Sequence, residues 1–199
     1  MDEQIFYDGI QSILNSNNFI EVCSNYVFGD QRYGRIIYLL GAAFTYFPEK
    51  FWGESGQIIA TRFVFSSTLF ASYWLLTNVF IKEKLFRIIL FLLLMAIPTT
   101  AYYSTMPKPE PFLLLFFAIF CYFYFQKKPG SRYFLFLGLA FGCKVSLLLV
   151  VGLIFIIESE LLRVWPINLK VINLWDNVKF KLCYFTIGLG IAVPILPLS

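Results

Sequence analysis

Histidine is absent from this chain, which excludes Ser-His triads, imidazole general bases and His-built metal sites and leaves carboxylates, Lys, Arg and Tyr for proton transfer. Charge is scarce as well. Charged residues make up 14% of the 199 positions against 59% hydrophobic and 20% aromatic, more apolar surface than a soluble domain of this length can hide, so the expected solvent is lipid. The net charge of +4 is scattered over loops in twos and threes, without the basic block that a nucleic-acid partner calls for. Cys23, Cys121, Cys143 and Cys183 are widely spaced with no C-x-x-C pair, so they indicate neither a zinc site nor a disulfide framework and read as structural residues. A signal peptide is missing too: the chain opens on Asp2-Glu3 with no continuous apolar core behind them. If that acidic start lies outside the cytoplasm, a membrane helix upstream must carry it across. The chain then reads as a fragment or truncated frame lacking an upstream helix and a C-terminal half, and residues 194–199, falling just where a helix finishes, agree with that.

What is present is a succession of apolar runs, read as an all-α polytopic transmembrane bundle over residues 57–199 preceded by an external region, residues 1–56, with interfacial helices. Over residues 2–14, Ile5, Phe6, Ile10, Ile13 and Leu14 recur at helical spacing with Asp2, Glu3, Asp8, Gln11 and Ser12 between them, an amphipathic helix lying in the interface. Asn15-Ser16-Asn17-Asn18 ends it. Residues 23–28 are expected as a short aromatic connection into a polar loop, Gly29-Asp30-Gln31-Arg32-Tyr33-Gly34-Arg35. The apolar run 36–47 reaches about 18 Å as helix against a bilayer core of about 30 Å, so it is expected to be a second interfacial or re-entrant helix. Spans are expected at 57–81, at 85–103 with a kink at Pro98, at 111–125 and at 182–196. Lys82-Glu83-Lys84 with Arg87, and the turn from Gln126 to Arg132, are cationic and belong in the cytoplasm, which puts the Lys108-Pro109-Glu110 link outside. Residues 133–157 admit two foldings. One helix would reach about 37 Å, but it would carry Lys144 at mid-bilayer at a cost of about 3 kcal/mol on insertion scales. Two short helices, 133–143 and 145–157, meeting at Lys144 near the outer surface remove that cost, leave residues 158–181 in the cytoplasm, and are preferred.

The link Met106-Pro107-Lys108-Pro109-Glu110-Pro111 sets two charges between long apolar runs, and the expectation is that it shares one membrane face, and one polar site, with Asp2-Glu3. Asp8, Asp30 and, at the hairpin tip, Lys144 lie on the same side. Carboxylates there can act as a base for an acceptor hydroxyl or help hold a divalent cation, while Lys and Arg can stabilise a phosphate leaving group. Blander roles stand beside these. Asp2-Glu3 can simply favour a helix N-terminus, Lys108 and Glu110 can be a snorkelling boundary pair, and Arg62 can anchor lipid headgroups.

Five pieces in this order, Asp2-Glu3-Gln4-Ile5-Phe6-Tyr7, Gly29-Asp30-Gln31-Arg32-Tyr33-Gly34, Ala60-Thr61-Arg62-Phe63, Lys108-Pro109-Glu110-Pro111-Phe112 and Gly138-Leu139-Ala140-Phe141-Gly142-Cys143-Lys144, resemble the N-terminal half of GT-C integral-membrane glycosyltransferases, in the protein O-mannosyltransferase and aminoarabinose-transferase-like branch. The resemblance implies sugar transfer from a polyprenyl-phosphate donor at the outer membrane face, with Asp2 as the catalytic carboxylate and Glu3 beside it. It implies Glu110 as a second acid able to contribute to a cation site, and Arg62, Lys108 and Lys144 at the donor phosphate. The His-Pro-Pro that often follows the second acidic loop in that family is replaced by Gln31-Arg32-Tyr33, which leaves the substrate-binding role of Asp30 open.

The expected function is therefore an inverting membrane glycosyltransferase, or its N-terminal half, in a bacterial inner membrane with its site facing outward. A transporter or channel fragment and a nonfunctional truncated protein are the alternatives. The sugar, the acceptor, the metal requirement and the oligomeric state are open at this stage.

Overall fold

The computed structural model describes residues 2–28, 36–105, 107–126, 130–144, 147–158 and 171–192, with only the backbone given for residues 2–6, 26–28, 104–105, 158 and 171–177. Among these the fold is all helical, with α1 Asp2–Leu14, α2 Phe19–Phe28, α3 Ile36–Phe80, α4 Lys84–Ala96, α5 Pro98–Thr105, α6 Glu110–Phe125, α7 Phe134–Cys143, α8 Leu148–Glu158 and α9 Val171–Ala192.

Four boundaries differ from expectation. Residues 23–28 belong to a helix, α2, whose start is held by the Asn18 side chain accepting from the Glu21 amide at 2.9 Å while Glu21 accepts from the Asn17 amide at 2.8 Å, a reciprocal cap. The run from residue 36 does not stop at 47 but continues into the next helix, broken only at Gly53, whose φ of 63° and ψ of −151° a side chain would resist. The expected span at 85–103 is divided into α4 and α5 by an extended Ile97, because Pro98 disfavours helix at the residue before it. Helix α9 starts at Val171, well inside the stretch expected as a cytoplasmic loop. The expected end of that span, residues 193–196, lies outside the described residues, as does the Asp30 loop.

Side-chain contacts fix how the helices run. Phe65 meets Phe112 with ring centroids 5.0 Å apart and Phe80 meets Phe125 at 5.5 Å, so α6 runs parallel to the second half of α3. Phe120 meets Phe134 at 5.4 Å, so α7 returns antiparallel to α6. The chain then turns back at Lys144, whose backbone is extended (φ −161°, ψ 127°), and α8 runs beside α7 with Phe155 against Phe134 at 5.4 Å. α9 lies parallel to α7 in close contact: a Cβ added at Gly138 would strike the Phe185 carbonyl, one at Gly188 the Leu135 carbonyl, and one at Gly142 the Ala192 methyl. Small residues four apart on both helices let the backbones approach, the mode of packing that replaces the hydrophobic effect where the solvent is itself apolar. Arg87 closes the α3–α4 turn, donating from Nε and Nη2 to the Ile81 carbonyl at 3.2 and 3.1 Å.

One end of the bundle is cationic, with Lys82, Lys84 and Arg87 at the α3–α4 turn, Arg132 before α7, and Lys181 over the Phe134 ring at 5.8 Å. The other end gathers α1, the start of α6 and the ends of α7 and α9 in one core of Ile10, Ile13, Phe112, Ala140, Cys143 and Ala192. α4 buries none of its residues although it is almost wholly apolar, and large side chains such as Phe47, Trp52, Ile59, Phe63 and Leu93 are also exposed. By length and composition, one helix among the described residues, α3, is long and apolar enough to cross a membrane, and α6, α7 and residues 148–157 are shorter apolar helices.

Candidate functional site

The polar site is built where α6 begins and α7 ends. Pro109 and Pro111 stiffen the entry to α6 and leave Glu110 in its first turn, where a carboxylate interacts favourably with the helix dipole. Antiparallel packing then carries the end of α7 back to the same level. Lys144 Nζ meets Glu110 Oε1 at 2.5 Å, with the side chains 42% and 24% exposed respectively. The other carboxylate oxygen, Oε2, is buried and has no hydrogen-bond partner among the described residues. A pair this open is worth about 0.2–1 kcal/mol, enough to orient the hairpin tip but too little to account for the fold. Lys108 lies half-buried with Nζ 4.8 Å from the centroid of the Tyr102 ring, a cation–π contact that holds it at the same end.

Two of the residues expected at the site, Glu110 and Lys144, are thus in direct contact, and Lys108 is two residues from one of them. Arg62 is exposed on α3 beside buried Thr61. Asp2 and Glu3 form the first turn of α1, their side chains outside the described residues, and Asp30 is outside them altogether. Among the described residues no group of three from Cys, Asp and Glu gathers to hold a metal ion, and Glu110 offers one unpartnered oxygen. Glu110 by itself supplies too few donors to hold a divalent cation.

Sequence reasoning missed a second polar cluster at this end. Gln11 Nε2 on α1 donates to Glu49 Oε1 at 2.9 Å and to Gln57 Oε1 at 2.7 Å, joining α1 to both sides of the Gly53 kink. Gln57 is 1% exposed and Thr61, one turn on, is fully buried, and neither Gln57 Nε2 nor Thr61 Oγ1 finds a partner among the described residues. The available signal was Gln57, Thr61, Thr68 and Ser72 recurring at helical spacing through an apolar run, all buried in the structure. The hydroxyls of Thr68 and Ser72 donate to the carbonyls of Val64 and Thr68, at 2.7 and 2.6 Å, and so are satisfied within their own helix. Because the Thr61 hydroxyl makes no hydrogen bond among the described residues, Thr61→Val is expected to leave stability unchanged or raise it by about 1 kcal/mol. A fall in thermal midpoint instead would show a bound water satisfying that oxygen.

The chain matches no protein-family model, no curated protein and no solved structure.

Proposed function

We propose that this chain is the N-terminal part of, or the whole of, an integral-membrane glycosyltransferase that takes a sugar from a polyprenyl-phosphate donor, with its site at the end of the bundle opposite the cationic turns. The observation that carries this is the Lys144–Glu110 pair, which sets a cation fit for a phosphate and an acid with an unpartnered oxygen at the level where α1 packs. Membrane residence is supported by the apolar α4, which buries none of its residues fully, by the small-residue contact of α7 with α9, and by the cationic turns at one end, which by the positive-inside rule is the cytoplasmic one. The site then faces outward, in a bacterial inner membrane.

In the proposed reaction an acceptor hydroxyl attacks the anomeric carbon from the face opposite the lipid phosphate. Asp2, with Glu3 beside it, takes the hydroxyl proton; the bond from the anomeric carbon to the phosphate oxygen breaks, and the phosphate leaves with the electron pair, inverting the configuration. Lys144 and Lys108, with Arg62 on the neighbouring helix, neutralise the departing charge. A transport pathway would draw on the buried polar stripe of α3, but the Thr68 and Ser72 hydroxyls are satisfied by carbonyls, that of Ser72 also lying 3.4 Å from the Pro111 carbonyl, which among the described residues leaves Gln57 and Thr61 as the members of the stripe with unpaired groups.

Single cysteines at positions 4, 109, 130 and 159, in a background without the four native cysteines, test the topology. Labelling of positions 4 and 109 from outside, with 130 and 159 protected, is expected. Protection of 109 with labelling of 4 would split the site across the bilayer and end the glycosyltransferase proposal.

A further inference from the structure

We infer that Glu110 occupies, in the resting protein, the seat on Lys144 that a lipid phosphate takes during turnover, so that the donor binds by exchanging partners with an acid of the chain itself. This rests on the proposal above that the donor is a polyprenyl phosphate, and adds to it how the phosphate seat is kept and opened.

Three features of the pair argue for exchange. Lys144 stands on extended backbone between two helices and its side chain is 42% exposed, so an incoming anion can reach the ammonium without a helix having to move. The carboxylate engages it through one oxygen only, Oε1, while Oε2 is buried without a partner; Glu110 therefore lacks the second hydrogen bond that would make the pair bidentate and strong. The lipid phosphate brings one negative charge and two free acceptor oxygens while the sugar is attached, and up to two charges and three oxygens as the monoester left after transfer, so the ammonium gains a better partner than a singly engaged carboxylate as the sugar departs. The two anions also repel, which favours displacement of Glu110 from Lys144 over a shared seat. Lys108, held over Tyr102 only two residues from Glu110, supplies a neighbouring positive charge toward which the arriving phosphate is drawn.

The exchange has a sign that a merely cooperative site would not. If Glu110 competes for Lys144, removing its charge tightens donor binding; if it helps to hold the donor, directly or through a cation, removing it weakens binding. The test is titration of the full chain in phosphatidylcholine nanodiscs with polyprenyl phosphate, and in parallel with inorganic phosphate. Glu110→Gln is expected to lower the Kd by about two- to fivefold, the range that loss of a half-exposed ion pair permits, and Lys144→Met to raise it at least tenfold. In the Lys144→Met background the gain from Glu110→Gln should vanish, since there is no seat left to vacate. Elution profile and thermal midpoint check folding, and Glu110→Asn serves as a second neutral variant.

An unchanged or raised Kd in the neutral Glu110 variants overturns the exchange, as does a gain that persists without Lys144, which would reduce Glu110 to general repulsion. Wild-type protein that binds polyprenyl phosphate while Glu110→Gln changes nothing sinks the exchange alone. Wild-type protein that ignores polyprenyl phosphate sinks the donor assignment with it. Tightening toward both probes supports the exchange and shows that the phosphate group suffices; tightening toward polyprenyl phosphate alone supports it with the lipid as the recognised source.

Discussion

Gly138→Leu is expected to leave little or no monodisperse protein in detergent, while Gly190→Leu elutes and melts as the wild type does. The two positions lie in helices that touch, and differ in what a side chain would meet. At Gly138 even a Cβ strikes the Phe185 carbonyl and crowds the Leu189 amide, whereas a Cβ at Gly190 meets no other part of the described residues within 4 Å. Overpacking a core costs about 1–3 kcal/mol when side chains can rotate away. Here the obstacle is helical backbone, so relief requires α9 to move off α7, and the cost should exceed about 3 kcal/mol, a large part of the stability of a small domain. Gly188→Leu should fail in the same way from the other side, against the Leu135 carbonyl. The consequence reaches the site, because α7 ends at Cys143 and presents Lys144 to Glu110; a displaced α7 takes the cation with it. Size-exclusion profiles and thermal midpoints of the three variants decide the matter. Wild-type behaviour of Gly138→Leu would mean that α9 does not pack there.

How much of this was legible in the sequence depends on whether a local signal dominated. The apolar run expected at 111–125 lies within α6, because Pro109 and Pro111 mark its entry and the aromatic run behind them has no competing breaker. A chain reversal at Lys144 was readable from the expense of a buried charge and from Gly138 and Gly142, although those glycines prove to serve the contact with α9 rather than the turn. Helix α2 was missed because its reciprocal cap, Asn18 with Glu21, sits inside a polar cluster that resembles a loop. The continuity of α3 through residues 48–56 was hidden by Pro48 and Gly53, two breakers by composition, of which only Gly53 interrupts the helical backbone. As for the site, the charged residues were picked out singly by chemistry, but which of them touch is a property of helix direction. Glu110 and Lys144 meet because α6 and α7 are antiparallel, which neither residue announces in the sequence. The Gln11, Glu49 and Gln57 cluster escaped because each member is unremarkable alone and they come together only when α1 lies across the kink of α3.

Asp2→Asn is expected to lower sugar transfer by about 10²–10⁴-fold, the range for loss of a positioned general base, with no loss of folded protein. The substitution separates catalysis from capping, since Asn serves the amides of a helix start about as well as Asp does, and the lost charge costs the α1 terminus only about 0.3–1 kcal/mol. Helical register does not separate Asp2 from its neighbour. Position 2 shares its register with Gly9 and Ile13, and position 3, about 100° away, with Ile10, all three buried. Both positions open a helix that Gln11 ties to the α3 kink, at the end where Glu110 and Lys144 pair. Glu3→Gln is therefore the companion variant, expected to cost less than Asp2→Asn if Asp2 is the base. The measurement is transfer of labelled sugar from a polyprenyl-phosphate donor by membranes carrying equal amounts of each folded variant. Full turnover by Asp2→Asn would remove the base from the proposed mechanism and reduce the acidic start of α1 to a partner of its own helix dipole. A loss confined to Asp2→Asn, with Glu3→Gln and Asp8→Asn unaffected, would assign the proton to Asp2.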